Sequence, residues 1–558
     1  MNILLIVPLN EPYSTIVGAD NVSNNKLNCM KIKKLYCVYP SGLLSISSYL
    51  KKHLPNVNVK ILDLNVTINY FALDNTINEF EFSYQEFLKK SFALLNDFNP
   101  DIVGISALFT GVYQDLKQFA AFLRENYPLT LITCGGHLAT SLYKKIFEDD
   151  IDIDAIAYGE GEIPFLNLAR AKIAGQEEQF LNISPSWITQ LKCFAVTSFL
   201  PQNHVIDNLD EIPPYDLESL IFPDVYFDST SFLFLPEIHD KHKEMIFFST
   251  RGCPNNCVFC ASHLVHGKKI RSYSLDRIKS DIIFYNKRYG IDKIVFYDDH
   301  FLFKKSRAIE ILQYIKNNNF IASIINPAFF SIDKEIAVAM KSAGVKAVFL
   351  SIESGNENTF KNIIHKPSSL QKANQAVELL HGEGINIATN VLIGLPGETH
   401  ESIEIGLEYL KTTKFNWYSC FVAAPLPGSD LYKICLDNNY FDSTNDNLSM
   451  DFKKCVIRTD DFTPEYIEMK AYEMNLILNF LNNYDMRVGN HVAALMLFER
   501  IITTVTDSHA FAYYYAARCC MLLQLEDKYI HYKNKYEEMI QKFPIWKEYR
   551  DKFQLNAL

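Results

Sequence analysis

The chain has 558 residues, with 54 Lys and Arg against 65 Asp and Glu, giving a formal net charge of −11. Its 48% hydrophobic and 21% charged residues exclude a wholly disordered chain, and 21 Gly with 21 Pro exclude fibrous and low-complexity readings. The acidic balance argues against nucleic-acid binding by bulk electrostatics. No apolar stretch approaches the roughly 18 residues of a membrane span. The start, Met1 to Pro8, lacks a basic leader and reads as a buried strand. Twelve cysteines in so long a chain are too sparse for a disulfide scaffold, so a reducing cytoplasm is the expected setting.

Residues 1–175 alternate β-rich runs with helical stretches. The strand candidates are Ile3–Val7, Val57–Leu62, Ile102–Ser106, Leu129–Cys134 and Ala155–Ala157, and helices are expected over Gly42–His53, Val112–Asn126 and Ile163–Ala174. This predicts an α/β fold, a doubly wound, Rossmann-like parallel sheet with ligands beyond the carboxyl ends of its strands. Residues 176–243 carry Pro213-Pro214, Pro223 and Pro236, which predicts a connector with a short hairpin, and Ser231–Pro236 reads as a docking strand. A second alternation over 244–455 has strands at Met245–Ser249, Ile294–Tyr297, Ile321–Ile325, Ala347–Ile352, Ile387–Ile393 and Tyr418–Val422. Six βα units fit a partial (β/α)6 barrel. Residues 456–558 read as an all-helical C-terminal domain, with Ala494, Phe498 and Ile501 followed by Tyr532, Tyr536 and Met539 at helix-pair spacing.

The decisive segment is Ser249-Thr-Arg-Gly-Cys253-Pro-Asn-Asn-Cys257-Val-Phe-Cys260. Three thiolates at spacings of four and three can wrap one iron–sulfur cluster. A four-iron cluster so held has one iron without a protein ligand, open to a small chelating molecule. Zinc would want a fourth ligand, and His263 and His266 keep that alternative open.

This segment resembles the signature of radical S-adenosylmethionine (SAM) enzymes, including the aromatic Phe259 before the last cysteine. Cys253, Cys257 and Cys260 would then hold a 4Fe-4S cluster. The resemblance continues in Tyr297-Asp298-Asp299-His300-Phe301, where the family meets the methionine amine. Ser351-Ile-Glu353-Ser354-Gly355 resembles its ribose-contacting element. Asn390-Val-Leu-Ile-Gly394-Leu-Pro396-Gly397-Glu398 resembles its backbone-and-adenine turn, and Pro425-Leu-Pro427-Gly428 the close of the last strand. One departure is Asn326-Pro327, where relatives often carry an Arg for a carboxylate or phosphate.

Three polar turns follow strands of the first domain, carrying Ser106 and Thr110, then Gly135, Gly136 and His137, then Tyr158, Gly159, Glu160 and Gly161. The glycines would let backbone approach a bulky ligand. With Tyr39-Pro-Ser-Gly42 and Leu209-Asp210-Glu211-Ile-Pro213, these turns resemble the cobalamin-binding domain fused to many radical SAM enzymes. Asp507-Ser-His509 lies in the tail and reads as helix capping rather than an axial cobalt ligand. Cys519-Cys520, Cys134, Cys29 and Cys37 read as structural.

The resemblance implies a cobalamin-dependent radical SAM enzyme. It would move a methyl group from methylcobalamin to an unactivated carbon or phosphorus after a 5′-deoxyadenosyl radical abstracts hydrogen. Alternatives are a radical cyclisation or rearrangement with the same cofactors, an empty cobalamin domain, methylthiolation, or a non-catalytic cobalamin or redox sensor. The expected partners are a small-molecule substrate and an external one-electron donor such as flavodoxin or ferredoxin. A carrier protein at the helical tail is a further candidate.

Overall fold

In the computed structural model the described residues are 1–17, 35, 37–73, 83–195, 199–227, 242–442, 452–555 and 558. The docking strand expected at Ser231–Pro236 and the structural role expected of Cys29 lie outside them.

Strand β1 (Asn2–Val7) sends Ile3 and Leu5 to one face and Leu4 and Ile6 to the other, all fully buried, as a strand covered on both sides must. It lies between β2 (Asn58–Asp63) and β3 (Ile102–Ser106), and β4 (Leu131–Gly135) and β5 (Ala155–Ala157) follow in parallel. The order β2-β1-β3-β4-β5 reverses direction between β1 and β3, which opens a crevice at the carboxyl ends. One edge differs from the purely parallel expectation. Strand β6 (Trp187–Ile188) pairs antiparallel with β5, so this sheet extends past the boundary expected at residue 175. The fully buried Trp187 anchors it, donating from Nε1 to the Pro164 carbonyl at 3.1 Å. The connector contains short 3-10 turns at Leu209–Glu211, Leu217–Ser219 and Pro223–Tyr226.

The second sheet opens with β7 (Glu244–Phe247), and a small antiparallel ribbon of β8 (Thr250–Arg251) and β9 (Arg271–Ser272) follows it. Strands β10 (Lys293–Phe296), β11 (Ile321–Ile324), β12 (Ala347–Glu353), β13 (Asn386–Ile393) and β14 (Trp417–Val422) then join β7 in parallel. Their order, β7-β10-β11-β12-β13-β14, follows the chain and leaves β14 and β7 as edges, the six-unit partial barrel that the alternation predicts.

One apolar core runs from Ile3, Leu5 and Phe165 through Tyr215 and Tyr226 to Phe247, Ile294 and Leu350. The first domain and the barrel are thus packed as one body. A separate core joins the tail to the barrel: Ala347, Ala388 and Trp417 pack with Phe480, Phe498 and Phe511. Cys519 and Cys520 are buried there, and His509 caps helix Ala510–Leu522 by accepting from the Ala512 amide.

The tail also deals with an exposed sheet edge, where unpaired backbone groups invite wrong partners. Asn479 Oδ1 accepts from the Tyr418 amide at 2.8 Å, and its Nδ2 donates to the Tyr418 carbonyl at 2.7 Å. A side-chain amide here imitates one more strand. Asn479→Ala leaves both buried groups unpaired, and we expect a loss of about 1–3 kcal/mol. Urea unfolding checks this, and an unchanged midpoint would assign the edge no energetic role.

Candidate active site

The cysteine loop begins directly after β8. Gly252 has φ +94°, and a Cβ there would lie 2.4 Å from the Lys269 carbonyl oxygen, so this turn requires glycine. The Cys253 amide donates to the Gly267 carbonyl at 3.3 Å, the Val258 amide to Ile364 at 3.1 Å, and the Leu431 amide to Val258 at 2.8 Å. The loop is therefore held from the segment before β9, from the segment after β12 and from the segment after β14.

Asp298 and Asp299 follow β10, where the family likeness placed them. Asp299 fastens both sides of the loop: Oδ2 accepts from the Gly252 amide at 3.0 Å and Oδ1 from the Ser262 hydroxyl at 2.9 Å. Asp298 Oδ1 accepts from Ser249 and Thr250 at 2.9 and 2.7 Å, while its buried Oδ2 has no hydrogen-bond partner among the described residues. Burial pushes the Asp298 carboxyl up to about 6, with Thr250 and Arg307 opposing.

Burial also raises the three cysteine thiols, Cys257 to about 11, and each of them feels the charge of Lys366. Among the described residues no three His, Cys, Asp or Glu side chains converge on a single metal ion. A cube of four irons does not need them to converge, because each thiolate binds its own iron. The three-sulfur donor set suits such a cluster, and no histidine supplies the convergent fourth ligand that zinc would want.

Glu353 ends β12 with φ +65°, at a register shift between Ser351 and Glu353. A non-glycine residue rarely adopts this backbone, and such strain is concentrated at functional sites. Its buried carboxylate meets Lys366 Nζ at 3.4 Å, where the lysine side chain is 12% exposed. Burial raises the Glu353 carboxyl, opposed by Lys366 and the Ser351 hydroxyl. Lys366 also lies 5.9 Å from the centre of the Phe259 ring. It was not foreseen, yet it brings a largely screened cation toward the cysteines, a charge that Asn326-Pro327 lacks. Ser354 is buried and caps the following turn by accepting from the Asn356 amide at 3.1 Å.

The turn after β13 is built on Gly394 at φ +87°, followed by Pro396. The buried Glu398 carboxylate accepts from the Gly394 and Leu395 amides, each at 2.9 Å. Burial carries that carboxyl up to about 7, against the pull of the two amides. Asn390 Oδ1, on β13, is buried and without a hydrogen-bond partner among the described residues.

At the crevice of the first sheet, Ser106, Thr110, Gly135, Gly136, His137, Tyr158 and Gly161 are all partly exposed. Leu108 and Phe109, which sequence reasoning passed over, are 46% and 51% exposed in the same turn. An apolar, partly open ledge beside hydroxyls suits a flat macrocycle with polar edges. The buried Nε2 of His137 has no partner among the described residues. Burial and the nearby His263 and His266 lower its pKa.

Gly136 and Gly159 both have positive φ, and a Cβ would meet the Ala107 carbonyl at 2.7 Å and the Asn203 side chain at 2.1 Å, so both turns require glycine. Glu160 is buried with both oxygens committed to Arg271, Arg251 and His266.

If Asp299 fastens the loop, Asp299→Ala should shorten cluster retention about 10-fold or more under chelator challenge, a typical cost for a lost outer contact. The decay of cluster absorbance measures this, and wild-type retention would remove Asp299 from the account.

Residues 247–410 match the Radical SAM superfamily and residues 28–169 the B12 binding domain. An uncharacterized methyltransferase of Pyrococcus horikoshii is 30% identical over 398 residues, covering 68% of this chain and 79% of that one. Cytidylyl-2-hydroxyethylphosphonate methyltransferase of Streptomyces wedmorensis is 24% identical, covering 75% of this chain and 82% of its own. Among solved structures, the cobalamin-dependent SAM radical enzyme OxsB with aqua-cobalamin bound aligns over 100% of this chain and 82% of its own. Its TM-score is 0.61 at 13% identity, so it shares the fold through the helical tail. The chain belongs to the radical SAM enzymes that carry a B12-binding domain, with a 4Fe-4S cluster, SAM and cobalamin as the family's cofactors.

Proposed function

We propose that this enzyme transfers a methyl group from SAM, by way of cobalamin, to an unactivated carbon or phosphorus of a small molecule. The observation that carries the reading is the single core joining a cobalamin-type crevice to a three-cysteine loop. Relatives named as methyltransferases that align across both regions support it. When bound, the cluster supplies the electron that cleaves SAM, and cobalamin carries the methyl group.

Cys253, Cys257 and Cys260 are the ligands in this reading. Glu353, strained and buried beside Lys366, orients the polar groups of SAM, and Lys366 offers its charge to the carboxylate. Asn390 within β13 and Asp298 just beyond β10 each hold a buried oxygen without a partner among the described residues, suited to a donor on a bound molecule. Gly394 and Pro396 shape the turn that faces the adenine. Leu108, Phe109, Tyr158 and His137 bear on the corrin. An external flavodoxin or ferredoxin delivers the electron. The tail seals the barrel edge, and a carrier protein would dock on its outer side.

The test uses protein purified anaerobically with hydroxocobalamin, then supplied with SAM and a strong reductant. Wild type should show corrin absorbance and release 5′-deoxyadenosine. Cys257→Ala should keep the corrin and release less than about 1% as much, in line with loss of an essential group. Wild-type protein that holds corrin and releases none would be a sensor. Protein that releases 5′-deoxyadenosine but holds no corrin would have an empty first domain.

A further inference from the structure

Five ionisable side chains meet where the turn after β5 touches the β8–β9 ribbon, and all but one are almost completely buried. Arg271 forks onto Glu160, with Nη2 to Oε1 at 2.6 Å and Nη1 to Oε2 at 2.9 Å. Arg251 reaches Glu160 Oε2 at 3.3 Å and Glu162 Oε1 at 2.7 Å. His266 Nδ1 lies 2.9 Å from Glu160 Oε1, and this histidine is 35% exposed where the two arginines and two glutamates are 3–10% exposed. Ser45 donates to Glu162 at 2.5 Å.

The two acids come from the first domain and the two arginines from the ribbon that carries the cysteine loop. Arg251 stands two residues before Cys253, and Gly267, next to His266, accepts from the Cys253 amide. Asn203 adds a neutral rivet, accepting from the Glu160 amide at 3.0 Å and donating to the Val265 carbonyl at 2.6 Å. Burial alone would raise the Glu160 carboxyl, but Arg251, His266 and Arg271 outweigh it and hold it well below the usual range. A buried ion pair of this kind is weak as a source of stability, and its attested use is to fix one arrangement among several.

We propose that Glu160 is a positioning residue whose carboxylate locks the cobalamin-side turn to the cluster loop, so that assembling the cluster also orders the turn. By reciprocity, ordering the turn favours the loop geometry that holds the cluster. The inference rests on the reading that the three cysteines hold the cluster. It assigns Glu160 no contact with substrate or cofactor.

Hydrogen exchange resolved by peptide tests it, first on cluster-free protein and then on cluster-loaded protein, with iron content measured alongside. Glu160→Gln keeps the shape and removes the charge. In cluster-free protein it should speed exchange about 10-fold or more in peptides spanning 158–162 and 251–260, with far-UV circular dichroism unchanged. In wild type, loading the cluster should slow exchange at 158–162, and in Glu160→Gln that slowing should vanish while 253–260 stays protected. Glu160→Asp should restore part of it. If Glu160→Gln does not fold, Glu162→Gln, which frees only one side of Arg251, should give the same pattern more weakly. Unchanged exchange in the cluster-free variant, or a wild-type turn indifferent to loading, would overturn the proposal. A wild-type chain that takes up no iron would instead sink the cluster reading, and the cluster-free comparison would still decide the clasp.

Discussion

A cluster held by only three protein sulfurs needs its rigidity from elsewhere, because its fourth corner must stay free of protein. With Cys253, Cys257 and Cys260 proposed as the ligands, the residues around them would meet that constraint with backbone and side-chain contacts rather than another ligand. Gly252 makes the turn tight, Asp299 fastens both shoulders of the loop, and the segments after β12 and β14 each bond Val258. Four separate parts of the fold thus converge on one loop of eight residues, Cys253–Cys260. That convergence explains why the barrel can remain open between β14 and β7 while the site stays defined.

The same logic extends to the first domain. A continuous apolar core brings its sheet against the barrel, but apolar contact is non-directional and leaves register unspecified. The ion cluster of Glu160, Glu162, Arg251 and Arg271 supplies direction, and the Asn203 amide adds to it. The helical tail plays the corresponding part at the other edge. It covers Ala347, Ala388 and Trp417 and imitates a strand with Asn479. Directional polar contacts therefore sit at both seams of a body otherwise joined by apolar packing.

What could be read from the amino-acid order was what is local. Buried strands such as Ile102–Ser106 and Ala347–Glu353 announce themselves as β-rich runs, and the cysteine spacing lies within eight positions. What escaped depends on distant residues meeting. Trp187–Ile188 is too short for a periodic signal, and its place at the sheet edge depends on Trp187 packing on Phe165 and bonding the Pro164 carbonyl. Lys366 lies 13 positions beyond Glu353 in an unremarkable stretch, and only the fold sets it against Phe259 and the cysteines. The partners of Glu160 are equally hidden in the amino-acid order, because a carboxylate in a glycine-rich loop looks the same whether it faces a ligand or two arginines from another part of the fold.

Mössbauer spectroscopy of the reconstituted, iron-57-loaded protein tests the central claim most directly. With three cysteine ligands, adding SAM should shift the signal of one iron in four toward higher coordination and leave the other three unchanged. Four irons that stay equivalent on adding SAM would mean that a protein group already fills the fourth corner, and the radical chemistry proposed for this chain would have no place to start.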